Sequence, residues 1–454
     1  MQPVLTVAEM QAVDARGLET TPLDELVARA GTAVALAALD LLGGAYGRRV
    51  VVVAGKGNNG ADGRVAAGLL ARRGARVTVV APGEVDRIGF DGPPVDLVVD
   101  AAFGTGFRGA YDAPAVAPGV PVLAVDIPSG VAGDTGAAAG RVLPARRTVT
   151  FVAAKPGLLQ WDGRGLAGDV RVVDIGLPVG PHGIDRVEDA DVGAWLPARH
   201  PDGNKWGAAV LVVAGSPGMT GAASLCARGA YRAGSGMVRL GVPGGRLADL
   251  PATEAVGVEL PADGWAGDAL EVASRCRATV VGPGIGRAKG TGAQVRWLVA
   301  HSPTPVVVDA DGLSVLGRVD RRLESSAPVV LTPHDGEYER LVGAMPGPDR
   351  VAAARRLASV AGTVVLLKGP TTAVADPWGR VLLATSGTPS LASAGTGDVL
   401  SGMIAAFLAR GMPPLEAAAL AAHVHGRAGS AGHRAGLVAG DVPDLVAGVL
   451  DALT

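Results

Sequence analysis

Residues 49–82 read RVVVVAGKGNNGADGRVAAGLLARRGARVTVVAP. Two valine-rich runs, at 49–55 and 76–82, flank a glycine-rich turn and a segment in which Ala, Leu and Arg recur with helical spacing. Strands that are apolar on both faces are typical of a parallel sheet covered by helices. The segment therefore predicts a strand–helix–strand unit of an α/β fold.

The same alternation continues through the whole chain. In the first half we expect six strands: RVVVVAG (49–55), RVTVVAP (76–82), VDLVVDA (95–101), VPVLAVDIP (120–128), RTVTFVAA (147–154) and DVRVVDIG (169–176). In the second half we expect six more: AAVLVVAGS (208–216), MVRLGVP (237–243), ATVVGPGIG (278–286), PVVVDADG (305–312), PVVLTPHDGE (328–337) and TVVLLKGP (363–370). Residues 177–207, rich in Pro, Gly and charge, predict a linker. A chain of 454 residues is too long for one core, so we expect two α/β domains that meet near residue 195.

Composition excludes several classes of protein. The chain is 48% hydrophobic with 68 glycines, which is typical of a globular protein, and a net charge of −2 argues against nucleic-acid binding. Its two cysteines, Cys226 and Cys276, lack metal-ligand spacing and are interpreted as buried thiols in a reducing compartment. Residues 1–17 have no signal-peptide pattern, and the apolar stretch 30–44 is too short to span a bilayer. We expect a cytoplasmic protein with no membrane contact.

The turn GKGNNG, residues 55–60, formally matches the dinucleotide-binding pattern G-x-G-x-x-G, with Glu84 in place to bind a ribose. Asn58, Asn59 and Asp62 are unusual in such a loop, because they add hard oxygen atoms suited to a cation or to ligand hydroxyls. The alternative is local: Asn and Asp also cap helices and tolerate turn conformations.

Polar side chains also follow the later strands of the first half. Asp100, Asp126, Ser129 and Lys155 each lie at or just beyond the end of a predicted strand. Ligands of open parallel sheets bind at the carboxyl ends of the strands, so these residues predict one shared site. A single such aspartate would more often be a helix cap.

In the second half, the stretch AGTGD at 394–398 opens the apolar segment VLSGMIAAFLA. Gly395 and Gly397 allow bare amides to approach a ligand, and a helix start favours an anion such as phosphate. Asp398 is then either a cap or a base beside that anion. Lys368 and Glu337 follow other strands and favour the base, because phosphoryl transfer needs charge neutralisation, and a magnesium-bound water fits Glu337.

The first-half motifs GNNGADG, VDAAFGTGFRG and VDIPSG, with the opening LTVAEMQAVDARG, resemble the NAD(P)HX epimerase domain, which repairs hydrated nicotinamide nucleotides. The resemblance implies a Rossmann-like three-layer fold and interconversion of the R and S forms at C6 of the hydrated ring. It implies Asp126 as the acid/base and a potassium ion held by Asn59, Asp100 and Ser129. The implied substrate contacts, besides Asp126, are Asn58, Asn59, Gly60, Ala61, Asp62, Gly104, Thr105, Gly106, Phe107, Arg108, Gly109 and Ala110.

One position in this half departs from the family pattern. The family loop usually reads GNNGGDG, whereas Ala61 stands here in place of the second paired glycine. A positive φ at this position would make alanine costly. We expect the loop to tolerate it.

The second half resembles the ribokinase-like superfamily and, within it, the ADP-dependent NAD(P)HX dehydratases. NKWGAAVLVVAGS, VVGPGIG, LTPHDGEYERL, LLKGPTT and AGTGD carry the resemblance. It implies that Ala222, Gly284, His334 and Asp398 contact the hydrated dinucleotide. It implies ADP with magnesium as co-substrate, bound by Lys368, Gly369, Pro370, Thr371, Thr372 and Gly397. The family usually has proline where this chain has Asp335, a difference that we interpret as a surface-turn change.

The order of the two resemblances, over residues 1–190 and 191–454, matches the fused bacterial repair enzymes. It implies NADHX or NADPHX and ADP as substrates, and we expect a homo-oligomer. Two alternatives stay open. A vitamin-pathway kinase would share AGTGD but leave the first half unexplained, and the first domain could be a binding module without activity. The HVH at 423–425 is interpreted as incidental, because residues i and i+2 point to different faces of a helix.

Overall fold

The computed structural model describes residues 1–198, 203–246 and 254–454. The chain forms two compact units, one of residues Pro3–Gly183 and one of Met1–Gln2 with Ile184–Thr454. Each unit has its own hydrophobic core built around its own sheet.

The N-terminal unit is built on a parallel sheet. Its six strands in the described residues are β2 (Arg49–Ala54), β3 (Arg76–Val80), β5 (Leu97–Ala101), β7 (Val122–Val125), β8 (Arg147–Phe151) and β9 (Asp169–Val173), in the order β3-β2-β5-β7-β8-β9. Two short strands, β4 (Arg87–Ile88) and β6 (Ala115–Val116), pair separately. The central strands β5, β7 and β8 are fully buried, which explains why most of their residues are apolar.

The helices of this unit are α1 (Val7–Gly17), α2 (Leu23–Leu42), α3 (Asn58–Arg72), α4 (Pro156–Leu159) and α5 (Trp161–Leu166). Thr6 and Glu9 form a capping box that fixes the start of α1. Helix α3 begins directly after β2, and a Cβ on Gly60 would lie 1.9 Å from the carbonyl oxygen of Gly55. Glycine at position 60 therefore lets the helix start close against the strand end.

The C-terminal unit contains an eleven-stranded sheet in the described residues. Its strands are β1 (Gln2–Pro3), β10 (Ile184–Arg186), β11 (Ala209–Val213), β12 (Met237–Pro243), β13 (Val256–Leu260), β14 (Ala278–Val281), β15 (Val306–Val308), β16 (Val329–Leu331), β17 (Val364–Leu367), β18 (Thr372–Ala375) and β19 (Val381–Ala384). Their order is β1-β10-β19-β18-β17-β16-β15-β14-β11-β12-β13. Strand β18 runs antiparallel to both of its neighbours.

The helices of this unit are α6 (Asp189–Trp195), α7 (Thr220–Arg232), α8 (Ala266–Ala273), α9 (Thr291–His301), α10 (Asp311–Leu316), α11 (Asp335–Val342), α12 (Arg350–Ala361), α13 (Thr396–Ala409), α14 (Pro414–Ala431) and α15 (Val442–Leu453). Every residue of α13 from Val399 to Ala409 is buried, because the helix packs against α7, α14 and β14. This burial on all sides explains why nearly all of these residues are apolar. The N-terminal turn of this helix, the AGTGD stretch, lies near Lys368, because a Cβ on Gly397 would lie 3.4 Å from Lys368 Nζ.

The predicted fold class and all twelve predicted strands are confirmed. The segment predicted to be a linker differs, because β10 and α6 lie within it and join the C-terminal sheet and core. Residues 199–202 of that segment lie outside the described residues. Among the described residues, no helix is long and apolar enough to cross a lipid bilayer.

Candidate active sites

The N-terminal unit contains a cavity of about 880 Å³ at the carboxyl ends of its strands. The predicted substrate contacts Asn58, Asn59, Asp62, Gly104, Thr105, Gly106, Phe107 and Asp126 line it. Gly60, Ala61, Arg108, Gly109 and Ala110 lie outside its lining. Strand ends that are far apart in sequence therefore do meet at one site, as the topology predicts.

Asp126 follows β7 in a strained conformation, with a φ of 65°. Its Oδ1 accepts hydrogen bonds from Lys155 Nζ (2.6 Å) and Thr150 Oγ1 (3.0 Å). Its Oδ2 would lie 3.5 Å from a Cβ on Gly104, a point that is also 3.5 Å from Asn59 Oδ1. One oxygen of Asp126 is thus held by the protein, while the other lies near Gly104 in the loop that lines the cavity.

Two further carboxylates surround Asp126. Burial, followed by the nearby charge of Asp126, raises the pKa of Asp62 to about 8. Burial also raises the pKa of Asp14 on α1, although the ammonium of Lys155 opposes this shift. At neutral pH Asp62 therefore carries a proton, so the cavity contains a carboxylic acid that can donate one.

Asp100 is fully buried at the end of β5. Its oxygens accept hydrogen bonds from the Ser129 hydroxyl (2.6 Å), the Ser129 amide (2.9 Å) and the Ala102 amide. Burial raises the pKa of Asp100, and these hydrogen bonds only partly offset it. A buried carboxylate whose hydrogen-bond donors, the Ser129 hydroxyl and amide and the Ala102 amide, are all neutral is compatible with a monovalent cation.

Ala61 does not need a positive φ. It lies in the first turn of α3, and the non-glycine residues of the described chain with positive φ are Asp126, Val152, Trp161 and Ala310. The departure from the family loop therefore introduces no backbone strain. Close packing instead requires glycine at the preceding position, Gly60.

The C-terminal site gathers charged residues from three strand ends. Lys368, after β17, donates a hydrogen bond from Nζ to Asp309 Oδ1 (2.8 Å) and lies 3.7 Å from Glu337 Oε2. Burial disfavours the charged lysine, but the carboxylates of Asp309 and Glu337 outweigh burial and raise its pKa. Burial likewise disfavours ionised Asp309, whose pKa the contact with Lys368 nevertheless holds below its ordinary value. The two residues form a buried ion pair at the centre of the site.

Asp398 lies in the first turn of α13, but it does not cap the helix. The N-cap is Gly395, with a φ of 93°, and the Asp398 carboxylate makes no hydrogen bond within the described part of the chain. Burial, then the negative charge of Asp309, raises the pKa of Asp398 to about 7. A carboxylate that ionises near neutral pH and makes no protein hydrogen bond is suited to accept a proton from a ligand.

The other predicted contact residues lie around this cluster. A Cβ on Gly284 would lie 3.0 Å from the Cβ of Ala222, and a Cβ on Gly397 would lie 3.4 Å from Lys368 Nζ. His334 is the N-cap of α11, where its Nδ1 accepts hydrogen bonds from the amides of Gly336 and Glu337. The turn 368–372 connects β17 to β18.

Sequence reasoning missed several residues of this site. Asp309 was part of a noted motif but was given no role, although Ser401, one turn beyond Asp398, donates a 2.5 Å hydrogen bond to its Oδ2. The helical spacing of Asp398 and Ser401 was the available signal for this contact.

Asp335 is not merely a surface-turn change. Its Oδ1 accepts a hydrogen bond from Arg350 (2.8 Å), and the same buried guanidinium donates to the carbonyl oxygen of Lys368 (2.5 Å). Asp335 thereby supports the turn that begins at Lys368.

Two family profiles match the chain. The family described as NAD(P)H-hydrate dehydratase matches residues 210–447, and the family described as YjeF-related protein N-terminus matches residues 23–87 and 81–157. The two matches fall in the C-terminal and N-terminal units respectively.

Several proteins are similar to this chain over almost all of its length. The bifunctional NAD(P)H-hydrate repair enzyme Nnr of Salinibacter ruber is 38% identical, over 98% of this chain and 95% of its own. The enzyme of the same name from Escherichia coli K12 is 34% identical, over 92% of this chain and 87% of its own. Among solved structures, the ADP/ATP-dependent NAD(P)H-hydrate dehydratase of Bacillus subtilis, co-crystallised with ATP and Mg²⁺, is 29% identical with a TM-score of 0.52 and covers 59% of this chain and 98% of its own. These matches confirm the resemblance that the motifs predict.

Proposed function

The chain belongs to the family of bifunctional NAD(P)H-hydrate repair enzymes, and from this premise we propose which site performs each reaction and which residues carry it. The protein epimerises R- and S-NAD(P)HX and dehydrates the S form to NAD(P)H at the expense of ADP, with AMP and phosphate as products. We assign epimerisation to the cavity of the N-terminal unit and dehydration to the Asp398 cluster of the C-terminal unit. One observation carries the assignment. Asp126 in the N-terminal unit and Asp398 in the C-terminal unit each have a carboxylate oxygen that makes no hydrogen bond within the described residues and can therefore bind a ligand.

In the N-terminal site, Asp126 moves the proton that epimerisation requires. The carbon that is inverted, C6, bears both a hydroxyl group and the ring nitrogen, so removal of the hydroxyl proton lets the C6–N bond open to an aldehyde. Rotation of that aldehyde and attack by the nitrogen on its other face inverts C6, and the proton returns to the oxygen. Asp126 Oδ2 accepts the hydroxyl proton, and protonated Asp62 gives a proton to the ring nitrogen as the C6–N bond opens. When the ring closes, Asp62 takes back the nitrogen's proton and Asp126 returns its own to the oxygen.

Asn59, Asp100 and Ser129 would hold the potassium ion of this site. This proposal is supported by Asp100, whose buried carboxylate accepts hydrogen bonds from the neutral hydroxyl and amide of Ser129. A cation would compensate its negative charge. When bound, potassium supplies a positive charge that can fix a phosphate or hydroxyl of the substrate. Asn59, Asp62 and Gly104 orient the substrate in the cavity between them.

In the C-terminal site, Asp398 accepts the proton of the C6 hydroxyl group while the hydroxyl oxygen attacks the β-phosphorus of ADP. The bond between the β-phosphorus and the bridging oxygen breaks, and AMP leaves. The hydroxyl group, a poor leaving group, is thereby converted into a phosphate ester. Loss of the phosphate group, which takes up the C5 proton as it departs, then gives NAD(P)H and inorganic phosphate. The amides of residues 395–397 and the Lys368 ammonium neutralise the transferring group, because phosphoryl transfer depends on positioning and charge stabilisation.

The carboxylates around Lys368 also fit magnesium. Asp309, Glu337 and Asp398 outnumber the single ammonium, so the cluster can compensate a divalent cation that arrives with the nucleotide. In the described residues, no three His, Cys, Asp or Glu side chains are placed to chelate a metal directly, which suits an ion held through water and phosphate oxygens at Glu337. When bound, magnesium supplies charge neutralisation of the phosphates. Residues 368–372, Gly397 and the B. subtilis enzyme crystallised with ATP and Mg²⁺ support this as the nucleotide site.

We also propose a reducing, cytoplasmic location and a homo-oligomeric state. Both cysteines, Cys226 and Cys276, are buried free thiols, which supports the location. A size measurement in solution tests the oligomeric state.

The assignment predicts how two single-site variants complement each other. Asp126→Asn should convert S-NADHX at the parent rate and then consume the R form only at the spontaneous rate, while Asp398→Asn should equilibrate the epimers and release no NADH. An equimolar mixture of the two variants should convert both epimers fully, because the S form diffuses from one protein to the other. A mixture that stalls when the S form is exhausted would refute two separate, independently acting sites.

A further inference from the structure

Lys155 is the most completely buried ammonium-bearing side chain at the epimerase cavity, with 1% of its surface exposed. All three of its protons are used within the protein. Nζ donates to Asp126 Oδ1 (2.6 Å), Thr150 Oγ1 (2.8 Å) and the carbonyl oxygen of Phe151 (3.1 Å). A lysine that is saturated in this way has no proton left to offer a substrate, so its function is carried out through its partners.

These partners tie together two strained strand ends. Asp126, directly after β7, has a φ of 65°, and Val152, directly after β8, has a φ of 66°. Thr150 and Phe151 are the last two residues of β8, so the ammonium joins the ends of the two strands. Strained conformations persist only where surrounding contacts over-determine them, and Lys155 supplies such contacts at both ends.

We propose that Lys155, assisted by the Thr150 hydroxyl group, is the positioning residue of the epimerase: it binds Asp126 Oδ1, holds the strained strand end, and leaves Oδ2 for the substrate. The inference rests on the proposed role of Asp126 as the acid/base group. The Thr150 hydroxyl group accepts a hydrogen bond from Lys155 and donates one to Asp126. Lys155 and Thr150 therefore both donate to Asp126 Oδ1.

The carboxylates around the cavity explain why the positive charge of Lys155 is needed beside Asp126. Asp62 on α3 and Asp14 on α1 both interact electrostatically with Asp126, so three carboxylates face one ammonium across the same cavity. Lys155 contacts Asp126 alone among these three. Its ammonium is therefore paired with Asp126, whereas burial raises the pKa of Asp62 to about 8.

The test compares matched pairs of variants in the full-length protein. Lys155→Met removes the charge and keeps the length of the side chain, and Lys155→Arg restores the charge. Thr150→Val removes the hydroxyl group and keeps the shape, and Thr150→Ser restores the hydroxyl group. For each variant, R-to-S conversion of NADHX is measured from pH 5 to 9, with dehydration of S-NADHX by the same protein as an internal control.

We expect Lys155→Met to lower the epimerase kcat at pH 7 by about 10²-fold and to move the acid limb of its pH profile upward by about 1–3 pH units, with KM little changed. Thr150→Val should lower kcat by about 3–10-fold, Thr150→Ser should restore it, and Lys155→Arg should keep the parent acid limb. Dehydration should be unchanged in all four.

An Lys155→Met protein with the parent kcat and acid limb would overturn the inference, and so would an equal loss at every pH. Thr150→Val and Thr150→Ser proteins of equal rate would overturn the assisting role of Thr150 even if Lys155→Met did not fold. Asp126→Asn separates this failure from that of the proposed function, because a variant that keeps R-to-S conversion removes Asp126 itself from the mechanism.

Discussion

Replacing Asp398 by asparagine should make the C-terminal site inactive and more stable at once. The carboxylate makes no hydrogen bond within the described residues, and burial with the charge of Asp309 raises its pKa to about 7. A folded-state pKa above the unfolded value means that the folded protein binds the proton more tightly. Its contribution to stability is therefore full below about pH 4 and is lost as the pH rises through about 7.

The magnitude follows from the shift. From the ordinary value of 3.8 to about 7 is about 3 pH units, or about 4 kcal/mol at 1.36 kcal/mol per unit, as an upper limit. Asparagine cannot ionise, so Asp398→Asn should gain little at pH 4 and up to about 4 kcal/mol in free energy of unfolding above pH 7. Removal of the base should lower kcat for S-NADHX with ADP by about 10²–10⁴-fold.

Urea unfolding of the C-terminal unit across pH 4–8, with steady-state dehydration of S-NADHX, measures both effects. Asp268→Asn is the matched control, because Asp268 occupies the same position of α8, three residues after the N-cap, on the exposed surface. It should change neither quantity. An Asp398→Asn protein that turns over at the parent rate, or whose stability gain does not depend on pH, would refute the reasoning.

Three further changes have specific expected outcomes. Asp335→Ala should raise the KM for ADP several-fold and leave epimerisation intact, because Arg350 loses the oxygen acceptor that holds it on the turn after β17; an unchanged KM would count against that support. Replacing potassium by tetramethylammonium should lower epimerase activity or the melting temperature of the N-terminal unit through Asp100, and if neither changes, the cation site is wrong. Gly60→Ala should destabilise the N-terminal unit by about 1–3 kcal/mol through its clash with Gly55, as measured by thermal unfolding, whereas Ala61→Gly should not stabilise it.

The sequence predicted the strands well because they are buried on both faces. β5 and β7 are buried, valine- and leucine-rich strands with Asp100 and Asp126 at their carboxyl ends, so both their position and the site at those ends could be inferred. β18 was missed because it directly follows the turn assigned to the ligand, and β13 and β19 were missed although they are no shorter than the predicted strands β14 to β17. β10 was hidden in a segment of Pro, Gly and charge.

The contacts that tune each site could not be read from the sequence. The ion pair of Lys155 with Asp126 spans 29 residues and that of Lys368 with Asp309 spans 59, and each depends on sheet order. The capping interpretation of Asp398 fails for a local reason, since Gly395 adopts the left-handed conformation at which the helix starts. Asp14 gave no signal, because only the packing of α1 places it at the cavity.

The most direct test of the central claim is to incubate the purified protein with an equilibrated mixture of R- and S-NADHX, ADP, potassium and magnesium, and to follow NADH and AMP together. We expect all of the NADHX to be converted, with equal amounts of NADH and AMP, faster than spontaneous epimerisation allows. Absence of NADH, or conversion that stops once the S form is consumed and continues only at the spontaneous rate, would contradict the proposed pair of activities.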